Sequence, residues 1–173
     1  MGYHTMKRFA INRKKLTISY KATCSNAWDM YGRKEVVENT LKFNTLEELE
    51  DKVLSFAEGH LDGVTQFAQS STMVKRINWL QDNGYITNKG IQDDETTRKV
   101  LTGEKKVKIN LYQFYSKEGY PIVYNSRNMR VSIYMPYSNK KATKVTNHLA
   151  EELEGLFSDF FENHGVYRVL VEA

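Results

Sequence analysis

Residues 105–161 change hydrophobic period once, and that change limits the fold more than anything else in the chain. Over residues 105–115 the pattern alternates, with Val107, Ile109 and Leu111 on one side and Lys106, Lys108, Asn110, Tyr112 and Phe114 on the other. Period two marks a half-buried strand. Ser116, Lys117, Glu118 and Gly119 read as a turn in which Gly119 supplies a positive φ. A second strand is expected over 122–124. A third is expected over 129–135, with Val131, Ile133 and Met135 inward and Arg130, Ser132 and Tyr134 outward, stopped by Pro136 because proline cannot donate to a ladder. Beyond a basic hinge of Lys140, Lys141 and Lys144 the period becomes helical. Val145, Leu149, Leu153, Leu156 and Phe160 recur every three or four residues, and this stripe should cover the apolar face of the sheet. The opposite sheet face would then carry Lys106, Lys108, Tyr112, Phe114, Arg130 and Tyr134.

The first half of the chain repeats this order of elements without repeating its residues. Residues 9–12 and 16–22 read as a hairpin joined through Arg13, Lys14 and Lys15, with Leu16, Ile18 and Tyr20 on one face and Lys15, Thr17, Ser19 and Lys21 on the other. A polar excursion over 25–33 carries Trp28 and Tyr31, and a third strand is expected over 36–43. Thr45 then opens a helix with capping-box spacing to Glu48. Leu46, Leu49, Val53 and Phe56 form its buried stripe, and Gly59 or Gly63 ends it.

Between the halves the pattern is helical. Ser70, Ser71 or Thr72 caps a helix whose inner residues are Met73, Ile77 and Leu80 and which Asn83 and Gly84 close. Asp93, Asp94 and Glu95 favour the start of a further helix over 93–101, stopped by Gly103. Tyr85 and Ile86 form an extended link. After the last helix, 166–171 reads as a terminal edge strand. The expected fold class is therefore α+β: two βββα-like halves, 7–63 and 105–173, each an antiparallel sheet backed by a helix, around a helical connector at 70–103. The 173 residues are read as a single compact domain.

Charge is layered along this order. Residues 1–34 carry eight lysines or arginines against one acid, 35–64 two against eight, 105–144 nine against one, and 145–173 one against six. The basic segments are those that read as strands and the acidic ones those that read as helices. The single cysteine, Cys24, allows no internal disulfide and suits a reducing compartment. Nothing approaches the roughly 20 apolar residues of a membrane span, and the N-terminus lacks the apolar core of a secretory signal. A cytoplasmic location without membrane contact is expected.

No catalytic motif and no cofactor site is expected. His4, His60, His148 and His164 are scattered and lack the cysteine or carboxylate neighbours of a zinc site, so no metal centre is expected. Asp94, Glu104 and Lys106 have the order of acids and lysine found in Mg²⁺-dependent nucleases, where carboxylates hold the metal and lysine helps place a water. The same acids are explained by helix charge and turn polarity.

Two resemblances of shape accompany these patterns. Residues 16–57, through the run Leu41-Lys42-Phe43-Asn44-Thr45-Leu46-Glu47-Glu48-Leu49, resemble the three-strand-and-helix arm-binding domains of phage-type integrases. Lys140, Lys141 and Lys144, placed after three strands at a helix start, resemble the basic helix start of double-stranded-RNA-binding domains, with Thr143 standing where that family carries alanine.

The leading expectation is a non-enzymatic protein that binds DNA or RNA through basic, aromatic sheet faces. The contacts would be Lys106, Lys108, Tyr112, Phe114, Arg130, Tyr134, Lys140, Lys141 and Lys144, the cations neutralising phosphates and the rings accepting bases. The abundance of Asn, Lys and Tyr fits a phage or other mobile element. The alternative is an inhibitor or regulator from such an element, which occupies a host nucleic-acid-handling protein through acidic helices at Glu47, Glu48, Asp51, Glu151, Glu152 and Glu154. A Mg²⁺-dependent nuclease is the third reading.

Overall fold

The computed structural model describes residues 3–25, 34–126 and 128–171. The excursion carrying Trp28 and Tyr31 lies outside the described residues, as do Arg127 and the side chains of His4 and Cys24. The fold is α+β. The chain divides into two compact units, the first comprising residues 1–77 and 85–106, the second residues 78–84 and 107–173.

In the first unit, β1 (Tyr3–Asn12), β2 (Thr17–Ser25) and β3 (Lys34–Lys42) form an antiparallel sheet. The β1 to β2 turn is shaped by an Asn12 side chain that accepts the Lys15 amide at 2.9 Å and by Leu16 at φ 54°. Helix α1 (Leu46–Leu61) follows. Its cap differs slightly from the expected box: Thr45 Oγ1 accepts the Glu48 amide at 3.2 Å, while Glu48 reaches back to the Asn44 amide at 3.1 Å instead of that of Thr45. Of the two candidate stops, the helix passes through Gly59 and ends at Gly63, φ +78°, where the amides of Gly63 and Val64 bond the carbonyls of His60 and Gly59.

A short strand that the pattern did not indicate, β4 (Thr65–Phe67), then pairs parallel with β1 and sets the strand order β3-β2-β1-β4. Ile18, Ala22, Leu49, Val53 and Ala57 are almost wholly buried. The rings of Phe9 and Tyr20 meet Phe56 edge-on at 5.1 and 5.6 Å, which fixes the face of the sheet on which α1 lies.

Helix α2 (Thr72–Asp82) is capped by Ser71, whose hydroxyl accepts the Val74 amide at 3.2 Å. Met73, Ile77 and Leu80 are buried as expected, with Val74 beside them. The link after α2 is a small hairpin, β5 (Ile86–Thr87) and β6 (Gly90–Ile91). Helix α3 (Asp94–Leu101) is capped by Asp93, whose carboxylate accepts the Thr96 amide at 3.0 Å. The Arg76 guanidinium donates to the Leu101 carbonyl at 2.9 Å and lies where a side chain at Gly103 would intrude.

In the second unit the sheet is built differently from expectation. Residues 106–110 are not a strand; β7 is only Leu111–Tyr115. It pairs on one side with β10 (Val145–Thr146) and on the other with β11 (Tyr167–Val171), both antiparallel. The expected second and third strands, β8 (Ile122–Asn125) and β9 (Arg130–Ile133), form a separate hairpin, and a 3-10 turn at Pro136–Ser138 follows. The long final helix is two: α4 (Asn147–Leu156), capped by the Thr146 hydroxyl, and α5 (Ser158–Asn163), with Phe157 non-helical between them. The apolar stripe shifts at that break. Leu149, Leu153 and Phe161 are buried, whereas Leu156 is 58% exposed. Phe114, Ile122, Val145, Leu149, Ala150, Leu153 and Phe161 form the core of this unit.

Candidate nucleic-acid interface

The nine residues expected to form a basic, aromatic face lie mostly in the second unit, and they do not share one surface. Phe114 is a correction. It is 4% exposed and packs edge-on against Phe161 at 4.8 Å, so it is a core residue and not an open ring. Tyr112 packs against the same core, and its ring is covered by the Arg168 guanidinium at 4.8 Å. Arg168 in turn bonds Asn147 at 2.9 Å and pairs with Glu154 at 3.3 Å, so ring, cation and acid are held by one another. Lys106 and Lys108 are exposed, but in the irregular segment before β7.

Arg130 lies exposed on β9, and Tyr134, just beyond it, has the Lys140 ammonium 5.9 Å from its ring centroid. Lys141 and Lys144 are exposed on an irregular strap and do not begin the helix, which is a second correction. The strap is pinned by the Ala142 carbonyl, which accepts from Gln113 at 2.8 Å, and by the Thr143 hydroxyl, which accepts the Tyr124 amide at 2.9 Å. Met135, expected inward, is 48% exposed.

The first unit presents what the second does not. Alternation along β1, β2 and β3 sends Met6, Phe9, Ile11, Ile18, Tyr20, Ala22 and Leu41 to the α1 side. Toward the β1 to β2 turn, the other side is built of three cross-strand rows: Arg8, Lys21 and Glu38; then Ala10, Ser19 and Thr40; then Asn12, Thr17 and Lys42. Each of these residues is exposed or half-exposed. The Ser19 and Thr40 hydroxyls lie 3.2 Å apart, and Glu38 pairs with Arg8 at 3.4 Å and with Lys21 at 3.7 Å, so side chains as well as backbone register place these rows on one face. Arg13, Lys14 and Lys15 extend the positive charge at the turn, where Arg13 stands 3.9 Å from Glu104. A bulge at Lys7 resets the register so that Arg8, and not Lys7, joins Lys21 on this face. The sequence held the signal for this site in the polar partners of the inward Ile18 and Tyr20.

Acidic charge in this unit sits on α1 and α3. Glu47, Glu50, Asp94, Glu95 and Glu104 line an open cleft of about 460 Å³ together with Leu46, Arg98 and Lys99. Arg98 is engaged by Asp51 and by Asp94, each at 2.6 Å, and Lys99 by Glu95 at 2.9 Å. Glu48 is committed to the α1 cap. In the second unit Glu151 accepts from Asn147 at 3.3 Å and Glu152 is exposed; burial, and secondarily the charge of Glu152, raises the Tyr124 phenol. Asp94 and Glu104 share the α1/α3 cleft; among the described residues, no group of three or more histidines, cysteines or acids is placed to hold a metal ion. No helix among the described residues is long and apolar enough to cross a membrane.

The fold is thus a mixed α+β arrangement with a three-stranded polar face on one unit. Comparison with protein-family models, with curated proteins and with solved structures gave no match.

Proposed function

We propose that this chain is a non-enzymatic nucleic-acid-binding protein of a phage or other mobile element, acting in the cytoplasm, whose principal contact is the open face of β1, β2 and β3. The observation that carries this reading is the set of three cross-strand rows. Arg8, Lys21 and Lys42 flank the Ala10, Ser19 and Thr40 row on the part of the face nearest the β1 to β2 turn, with Arg13, Lys14 and Lys15 at the turn itself. Cations at this spacing neutralise phosphates, and short hydroxyl side chains between them allow close approach. Lys140, Lys141, Lys144 and Arg130 of the second unit are exposed and supply further cations.

The test is a titration of fluorescently labelled nucleic acid with protein across a salt series. Affinity is expected to fall roughly 10- to 1,000-fold between about 50 and 200 mM salt, as release of several counterions requires. Absence of binding at the low end overturns the reading. A second reading, an inhibitor of a host nucleic-acid-handling protein, is favoured by the acids around the α1/α3 cleft, which suit a basic groove. It predicts capture of one host protein that is released when Glu47 and Glu50 are reversed to lysine.

A further inference from the structure

We propose that β11 is the contact strand of a symmetric homodimer, whichever ligand the first unit takes. It pairs antiparallel with the β11 of a second copy and joins two three-stranded sheets, each β10-β7-β11, into one continuous sheet.

The first observation is an open edge. β11 is an outer strand of its sheet and is paired with β7 along its whole length. Among the described residues, the backbone of 167–171 makes no hydrogen bond to anything other than β7. Alternate residues of an edge strand point their amides and carbonyls away from the one neighbouring strand, so a row of main-chain groups here is open to a further strand.

The second observation is that this edge lacks the usual defences. Folded proteins keep sheet edges from pairing by charged side chains, proline, bulges, short strands or a covering segment. The other outer strands among the described residues follow that rule. β3 carries charge at Glu38 and Lys42, β8 is bonded by Thr143 of the strap, and β9 turns Arg130 and Ser132 to solvent. β4, β5, β6 and β10 have only two or three residues each. β11 has five, with Tyr167 47% exposed, Val169 42% and Leu170 53%. Its one charge, Arg168, is engaged within its own chain by Glu154 at 3.3 Å and Asn147 at 2.9 Å, so covering the edge leaves no cation unpaired.

The third observation selects the occupant. An antiparallel pair centred on Val169 is the one register that matches every residue of β11 with a residue of its copy. It sets Val169 against Val169, Tyr167 against Val171 and Arg168 against Leu170, so no like charges meet and each tyrosine faces a β-branched side chain. A centre at Arg168 would instead oppose two guanidinium groups. Tyr167 is already steadied for its part by the Tyr115 ring, 6.2 Å away between centroids. Directly opposed residues share a side of the sheet, so the two-fold axis is perpendicular to it. Five residues a side make a small contact, and the dimer is therefore expected to form in the micromolar range of concentration.

The experiment is sedimentation velocity of the full chain between about 1 and 200 µM, where mass action governs assembly. The mass is expected to rise with concentration from 20.2 kDa toward twice that value. Val169→Lys sets two ammonium groups against each other at the centre of the pair, at an exposed edge position where lysine is ordinary. It is expected to remain a monomer over the whole range while keeping the circular dichroism of the parent. Oxidative cross-linking of single-cysteine chains, with Cys24→Ser as background, reads the register. Val169→Cys is expected to give a disulfide-linked dimer, because directly opposed Cα atoms lie about 4.5–5.5 Å apart, within disulfide reach. Val171→Cys is not, since its copies are offset by roughly 14 Å along the strands. A parent chain that stays monomeric throughout overturns the proposal, as does a dimer that Val169→Lys leaves intact. Cross-linking of Val171→Cys but not of Val169→Cys overturns the symmetric pairing. If Val169→Lys does not fold, the two cysteine variants decide.

Discussion

Lys21 Nζ and Glu38 Oε1 stand 3.7 Å apart on neighbouring strands, with the Arg8 guanidinium 3.4 Å from the same carboxylate oxygen. One acid therefore pairs with two of the cations that define the proposed interface. Glu38→Gln is expected to tighten nucleic-acid binding several-fold, since a phosphate no longer meets a competing negative charge. The pairs are well exposed, so unfolding free energy should move by no more than about 1 kcal/mol. Binding titration and urea denaturation of the same variant check both parts.

Helix α1 backs the sheet that carries the proposed face, and its start depends on one hydroxyl. Thr45→Ala removes the acceptor of the Glu48 amide and is expected to cost about 0.5–2 kcal/mol. The midpoint of urea unfolding followed by circular dichroism measures it. Thr45→Ser, which keeps the oxygen, should recover most of the loss.

Phe114 separates two placements of β7. As the buried partner of Phe161, its replacement by alanine is expected to cost about 3–5 kcal/mol. A ring on an open sheet face would cost within about 0.5 kcal/mol on truncation. Chemical denaturation of Phe114→Ala gives the answer directly.

His60 packs edge-on to Phe67 at 5.7 Å, and burial holds its imidazole below the ordinary 6.5, partly offset by a backbone hydrogen bond at Thr65. The folded state thus resists a proton that the unfolded chain accepts. Stability should fall as pH drops below about 6.5, and the fall should be complete once pH passes the lowered folded value. Melting temperatures of the parent and of His60→Gln between neutral pH and pH 5 test this, the variant being expected to show the smaller acid sensitivity.

The parts of the fold that could be read from the sequence are those with a long, unambiguous period. Ile18, Leu49, Val53, Met73 and Ile77 were placed inward by spacing and are buried. The caps at Thr45 and Asp93 follow from side chains that have few other local uses. Phe114 lies inward against expectation because Leu111, Tyr112, Phe114 and Tyr115 are apolar on both sides of the strand, so Val107 and Ile109 alone set the apparent phase. Those two residues lie before β7 begins, and the irregular backbone at 106–110 breaks the phase. The break at Phe157 is similarly hidden, since Leu156, Phe157, Phe160 and Phe161 offer two overlapping stripes and only packing chooses between them. β4, β5 and β6 are three, two and two residues long, too short for any period to register. The proposed interface was half legible. Alternation along 16–22 separates Ile18 and Tyr20 from Thr17, Ser19 and Lys21, whereas the phase of β1 depends on the bulge at Lys7 and that of β3 on its pairing with β2, neither of which a period reveals.

On the proposed function, the β1, β2 and β3 face, more than the lysines of the second unit, holds the nucleic acid. The most direct measurement compares Lys21→Glu with Lys42→Glu in one variant against Lys140→Glu, Lys141→Glu and Lys144→Glu in another, by titration of one labelled DNA duplex at fixed salt. Binding is expected to be lost in the first and at most modestly weakened in the second. Binding kept by the first and lost by the second would contradict it.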